Sequence, residues 1–201
     1  MSDMKQYKDH YFRRAKQESY PARSVYKLQE IEKRFGLFSR GANVLDLGAA
    51  PGSWSLYAAE RVGAEGSVLA VDKQEPGIDF PENVRFLRAD ILEPSQGLHR
   101  ELDARRPFDL VISDMAPETS GIKIRDQARC LELAETASDF AVSYLRSGGH
   151  FVAKVFDCPD VQEFTSNLKR LFEQVKSFKP KSSRSESKES FILGMLRKEG
   201  S

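Results

Sequence analysis

The chain has 201 residues, 40% hydrophobic and 30% charged, with a formal net charge of +1. This length predicts one domain, and this composition excludes wholesale disorder. No apolar run approaches the roughly 18 residues of a membrane span, the polar N-terminus predicts no signal peptide, and Cys130 and Cys158 alone exclude a disulfide scaffold or a cysteine zinc site.

Residues 24–36 place Val25, Leu28, Ile31 and Phe35 at helical spacing, which predicts a helix with Ser24 as N-cap and Gly36 and Gly41 marking its exit. An apolar run over 44–48 predicts a strand, and 53–61 the helix that follows it. Residues 67–72 (SVLAVD), 84–90 (VRFLRAD) and 108–114 (FDLVISD) read as three more buried strands. A long helix over 126–146 ends at Gly148 and Gly149, which open a strand over 150–156 (HFVAKVF). A helix over 161–172 and strands over 175–178 and 190–196 (SFILGML) complete the order.

Strands alternating with helices, several of them continuous apolar runs, predict an α/β fold: a doubly wound, Rossmann-like, mostly parallel seven-stranded sheet with helices on both faces. Too little chain separates the last two strands for a helical crossover, so the last strand is expected to be reversed. The expected organisation is a basic helical extension over 1–40 followed by the α/β domain over 41–201. Charge follows that division. Residues 1–40 hold 10 Lys/Arg against 5 Asp/Glu, residues 169–201 hold 9 against 4, and residues 41–168 hold 12 against 21. Basic ends on an acidic centre point to an anionic partner gripped by the termini, although solvated helix faces also vary in charge.

In such a sheet a ligand sits beyond the carboxyl ends of the strands. Asp72, Asp90 and Asp114 close three successive strands there. One strand-end aspartate is commonly a cap or a turn residue; three aimed at one crevice point to a site. The turn after the first strand, Asp46 to Trp54, carries Gly48 and Gly52 rather than the G-x-G-x-x-G of a dinucleotide site, and Pro51 removes an amide donor. A phosphate-free ligand with an amino acid and an adenosine suits it better than NAD, which gives S-adenosylmethionine as the expected cofactor. Asp72 is placed to accept from the ribose hydroxyls and Asp90 from the adenine amino group.

Three stretches in order, 46–55 (DLGAAPGSWS), 113–121 (SDMAPETSG) and 148–156 (GGHFVAKVF), resemble the signatures of FtsJ-type ribose 2′-O-methyltransferases, from about residue 20 to the end. The resemblance implies a catalytic Lys-Asp-Lys-Glu tetrad: Lys27 in ARSVYKLQEI, Asp114 in SDMAP, Lys154 in FVAKVF, and Glu189 before the last strand, with Glu186 as its competitor. It also implies cofactor contacts at Gly52, Trp54, Asp72, Asp90 and Asp114, and Trp54 has a core-aromatic alternative. Read on its own, a lysine inside a buried strand points to function, because an unpaired buried charge is costly. Lys27, on an amphipathic helix, reads as a solvated residue until the family pattern is applied. The chemistry suits these types: a ribose hydroxyl is a very weak acid and needs a positioned base or a local positive field. Lys154 supplies one or the other, with Asp114 to orient it. The chain departs from the family pattern at 155–160, Glu118 and Glu186, all around the substrate groove.

The resemblance further implies RNA as partner, a uridine of large-subunit ribosomal RNA in the assembled subunit, with transfer RNA or a non-catalytic assembly role as alternatives. Lys5, Lys8, Arg13, Arg14, Lys16 and Arg23, interleaved with Tyr7, Tyr11, Phe12 and Tyr20, would track and stack on such a strand, and Lys179, Lys181, Arg184 and Lys188 would complete the groove. A charged tail is the competing reading of residues 1–15. A cytoplasmic monomer is expected. No metal is expected, since His10, His99 and His150 are scattered.

Overall fold

The computed structural model describes residues 11, 13–184 and 187–200. Its strands are β1 (Asn43–Leu47), β2 (Ser67–Asp72), β3 (Val84–Arg88), β4 (Phe108–Ser113), β5 (Leu145–Phe156), β6 (Phe172–Phe178) and β7 (Glu189–Arg197). Its long helices are α1 (Val25–Phe35), α2 (Ser53–Val62), α3 (Gln96–Arg105), α4 (Lys123–Tyr144) and α5 (Val161–Leu171). One sheet contains all seven strands in the order β3-β2-β1-β4-β5-β7-β6. The first five strands are mutually parallel. β7 runs antiparallel between β5 and β6, the expected reversal of the last strand.

Continuous apolar strands need cover on both faces, and each face has its own core. On one, Leu45, Leu47, Val111, Phe151 and Phe172 meet α3, α4 and α5 through Leu102, Phe140 and Leu168. On the other, Val44, Leu110, Val152, Phe191 and Leu193 meet α1 and α2 through Leu28, Ile31, Trp54 and Ala58. Residues of α1, inside the expected 1–40 extension, therefore belong to the same core as the sheet. The strand order turns outward at β1 and resumes at β4, so the carboxyl ends of β1 and β4 flank the crevice where the winding reverses.

Several local expectations are corrected. Ser24 makes no side-chain cap; its backbone is already helical. α4 starts at Lys123, three residues before the expected start, and inside its first turn the Asp126 carboxylate accepts the N–H and hydroxyl of Ser120, 2.8 and 2.7 Å away. β5 starts at Leu145, which pairs with Phe108, and Gly148 and Gly149 fall where the register shifts inside that strand. Phe172 opens β6 instead of closing α5. Helix α3 has no counterpart in the sequence reading, since only Leu98 and Leu102 are buried along it; its cap, Ser95 accepting from the Leu98 N–H at 3.2 Å, was the available signal.

Two buried acids serve the fold. Glu32, 8% exposed, accepts the backbone N–H groups of Leu37 (2.7 Å) and Phe38 (3.2 Å) and pairs with Arg61 of α2 at 3.1 Å, tying the end of α1 to the domain. Asp46 of β1, 1% exposed, accepts the Ser55 hydroxyl at 2.6 Å on one oxygen only. Burial pushes its carboxyl up to about 7; the Ser55 bond opposes the shift, while the charges of Asp114 and Asp72 add to it.

Glu32→Ala strands two buried amides, so unfolding stability in urea should fall by about 2 kcal/mol; a change within the roughly 0.5 kcal/mol of an ordinary surface substitution contradicts this account. Asp46 holds its proton more tightly folded than unfolded, so its contribution to stability is complete below the ordinary aspartate range and is lost as pH rises toward 7. Asp46→Asn does not titrate. The Tm of the variant minus that of the native protein should therefore rise from acid to alkaline pH; a pH-independent difference contradicts the raised pKa.

Candidate active site

A cavity of about 590 Å³ opens at the carboxyl ends of β1 to β4, lined by Gly48, Ala50, Asp72, Asp90, Asp114 and Met115 among others. Gly48 has φ +81, and a Cβ there would collide with the Met115 side chain, so the turn after β1 tolerates only glycine at this point. The amides of that turn are all committed. Gly48 N–H and Ala49 N–H donate to the Val71 carbonyl (2.8 and 3.1 Å), Ala50 N–H to the Asp72 carboxylate (2.9 Å), and Gly52 N–H to the Ala49 carbonyl (2.7 Å). Pro51 has no N–H. Five successive positions thus offer no donor to a phosphate group.

The acids are poised differently. Asp72 accepts from Ala50 N–H on one oxygen and Gln74 N–H (2.8 Å) on the other, and Asp90 accepts from Leu92 N–H at 2.9 Å. Each carboxylate oxygen has a second lone pair to offer a ligand. The structure does not bring Gly52 or Trp54 to the cavity wall. Gly52 caps α2 beneath Ile78 and Phe80, whose side chains a Cβ would meet at 2.5 and 3.1 Å. Trp54, 3% exposed, donates Nε1–H to the Ser24 carbonyl (2.9 Å) and lies 5.7 Å from the Phe191 ring, in the core between α1 and β7. Sequence reasoning missed Met115, Lys73, Arg129 and Glu132 as lining residues; Met115 lies within the SDMAPETSG stretch, which was the available signal for it, and no motif singles out the other three.

Beside the cavity the four expected tetrad residues converge from four elements. Asp114 follows β4, Lys154 lies in β5, Glu189 opens β7 and Lys27 lies in α1. Lys154 Nζ sits 3.1 Å from the Asp114 carboxylate and donates to the Asp114 backbone carbonyl at 2.5 Å. Lys27 Nζ is 2.8 Å from Glu189, 3.8 Å from Asp114 and 5.8 Å from the centre of the Phe191 ring, a cation–π position. All four side chains are at most 15% exposed. Cation and anion therefore alternate through a nearly dry array, Lys154–Asp114–Lys27–Glu189. Burial opposes charge on Glu189, yet the Lys27 ammonium, with help from Lys154, holds its carboxyl below the usual range. Cys130 lies against the Lys154 backbone, 3.9 Å from its carbonyl, and burial pushes its thiol up to about 11.

Several groups expected to meet RNA are held within the protein. Arg23 donates to the Ser182 carbonyl (2.7 Å) and lies over the Tyr11 ring, Arg14 pairs with Glu18 (2.7 Å), Tyr20 donates to Glu60 (2.8 Å), and Lys179 donates to the Ser187 carbonyl (2.8 Å). Contact with Lys188 holds the exposed Lys123 ammonium, at the start of α4, below its usual value, so two cations converge near Glu189. His99 contacts the Tyr144 hydroxyl (2.9 Å) and His150 accepts from Leu196 N–H (3.3 Å). Lys5, Tyr7, Lys8, His10, Phe12 and Glu186 lie outside the described residues.

Comparison with known proteins agrees with this architecture. A ribosomal RNA large subunit methyltransferase E from Nitratidesulfovibrio vulgaris (strain DP4) is 58% identical over 190 residues, covering 94% of this chain and 93% of that protein. The protein of the same name from Oleidesulfovibrio alaskensis is 56% identical over 192 residues, covering 96% and 93%. Among solved structures, a Plasmodium falciparum protein described as a ribosomal RNA methyltransferase superposes with a TM-score of 0.75 at 25% identity, covering 89% of this chain and 98% of its own. The sequence model of the FtsJ-like methyltransferases matches residues 20–197. From the motifs, the fold and these matches together, the chain belongs to the FtsJ-like methyltransferase family.

Proposed function

We propose that this protein methylates the 2′-hydroxyl of a ribose in RNA, with S-adenosylmethionine as donor and a uridine of large-subunit ribosomal RNA in the assembled subunit as target. The observation that carries the reading is the buried Lys154–Asp114–Lys27–Glu189 array at the rim of the cavity, where Asp114 both lines the cavity and contacts the two lysines. The cavity suits this donor. Asp72 and Asp90 accept from hydroxyl and amino groups, and the saturated amides of residues 48–52 disfavour a pyrophosphate. Once bound, S-adenosylmethionine supplies a methyl group activated by a sulfonium.

The residues of the chain do the rest. Lys154 Nζ is held by its hydrogen bond to the Asp114 carbonyl and by the Asp114 carboxylate 3.1 Å away, which orient it for the ribose hydroxyl. In the proposed step Lys154, an ammonium at rest, first gives up a proton to solvent. As the amine it then takes the proton from the 2′-oxygen as that oxygen bonds to the methyl carbon and the carbon–sulfur bond breaks, releasing a neutral thioether. Glu189 keeps Lys27 in place, and the Lys27 ammonium steadies the negative charge that grows on the oxygen. Exclusion of water by the surrounding side chains strengthens that field. Lys123 and Lys188 lie against one another and suit a phosphodiester. The relatives' name, ribosomal RNA large subunit methyltransferase E, supports large-subunit ribosomal RNA as the substrate.

The test is label transfer from S-adenosylmethionine to large ribosomal subunits that lack the modification, with transfer RNA alongside and Lys154→Arg as the variant. Arginine keeps the charge and the donors but takes no proton. The native protein should label ribose in the subunit RNA, and Lys154→Arg should lose about 10²-fold to 10⁴-fold in rate with unchanged cofactor affinity. Label entering only transfer RNA overturns the target. A Lys154→Arg rate within about tenfold of native overturns the proton-accepting role.

A further inference from the structure

Helix α1 contributes more than Lys27 to the array. Glu30, one turn further along the helix, extends its carboxylate across to the segment before β7. One oxygen accepts the Lys181 N–H at 2.7 Å and the other the Ser182 N–H at 2.8 Å. From just before the same helix, Arg23 donates to the carbonyl of Ser182 at 2.7 Å, so that one residue is held at both its N–H and its C=O. The span toward Glu189 is braced in turn: Ser187 N–H donates to the Arg184 carbonyl (2.9 Å), Lys179 to the Ser187 carbonyl (2.8 Å), and Glu189 N–H to the Ser187 hydroxyl (3.2 Å). Glu189 then closes the circuit on Lys27, back on α1.

A glutamate on this face of α1 would ordinarily pair with a basic residue three or four positions away on its own helix, at little gain. Instead it makes two charge-assisted bonds to backbone amides 151 and 152 residues away in sequence. Both ends of the circuit therefore rest on one rigid helix. Lys27 and Glu189 are thus linked twice, by their own ion pair and through the α1 grip on residues 181 and 182. Among the described residues, none of this segment lines the cavity, so the grip bears on the array rather than the donor site.

We infer that Glu30 is a positioning residue for methyl transfer: by holding the Lys181 and Ser182 amides it fixes Glu189 against Lys27, and so the geometry in which Lys27 and Lys154 face the substrate hydroxyl. This rests on the reading of the array as the methyl-transfer site.

The test compares Glu30→Ala and Glu30→Gln with the native protein in RNA methylation at saturating substrates, alongside the Kd for S-adenosylmethionine and the exchange of the Lys181 and Ser182 amides. A misplaced array should lower kcat by about tenfold to a hundredfold in Glu30→Ala. Cofactor Kd should stay at the native value, and the two amides should lose protection. Glu30→Gln retains one acceptor oxygen and should fall between the other two proteins in kcat and in protection. A native kcat in Glu30→Ala with both amides unprotected overturns the proposal, and so does a parallel loss of kcat and cofactor affinity in both variants. If the native protein binds cofactor but methylates no RNA, the functional reading fails, and the grip is judged by the titration of the Glu189 carboxyl followed by ¹³C NMR. Displacement from Lys27 in Glu30→Ala should move that titration upward; an unmoved titration overturns the grip as well.

Discussion

Two ammonium groups and two carboxylates, each at most 15% exposed, can share one pocket only if every charge meets its opposite. That constraint organises this end of the molecule. Asp114 must stand at the end of β4 between two lysines, Lys154 must point out of β5 toward it, and Glu189 must arrive at the start of β7 to satisfy Lys27. The reversed strand is what delivers Glu189: β7 begins opposite Phe156 and passes Phe191 beside Lys154. The helix is what delivers Lys27, and it is held to the sheet by Leu28 and Ile31 in the core and by Glu32 at its end. Stability and site are thus built from the same contacts.

Asp114 is also where the array meets the cavity. The strand ends supply a row of carboxylates with different jobs. Asp72 and Asp90 are shared between local backbone amides and the open cavity, whereas Asp46, one residue before the end of β1, is sealed beneath it. The raised pKa of Asp46 keeps one negative charge out of an already acidic neighbourhood below neutral pH. The turn between β1 and α2 spends its amides on its own structure, which distinguishes it from the donor-rich turns that bind pyrophosphate.

Features with local causes were readable in the sequence. The alternation of apolar runs and helical spacing led to the sheet, and the short link between the last two strands led to the reversal. A lysine in the middle of an apolar strand marked Lys154, and recurrent strand-end aspartates marked Asp72, Asp90 and Asp114 as neighbours. Features caused by tertiary contact were not readable. Glu30 and Glu32 look like solvated charges on an amphipathic helix, and only the folded chain shows them capturing backbone amides. Lys27 was found through family resemblance for the same reason. Trp54, after the glycine turn, reads in sequence as either a cofactor contact or a core aromatic, and only the folded chain shows it in the core between α1 and β7. Helix α3 buries too few residues to print a period on the sequence.

The central claim is that the four charges work as one unit. The measurement that tests it most directly is a double-mutant cycle on kcat for RNA methylation, with Lys27→Ala, Glu189→Ala and the pair. Residues that act as a unit are strongly non-additive. The double variant should therefore be no slower than the slower of the two single variants. A double variant slowed by the product of the two single effects would show that Lys27 and Glu189 act independently, and would contradict the account.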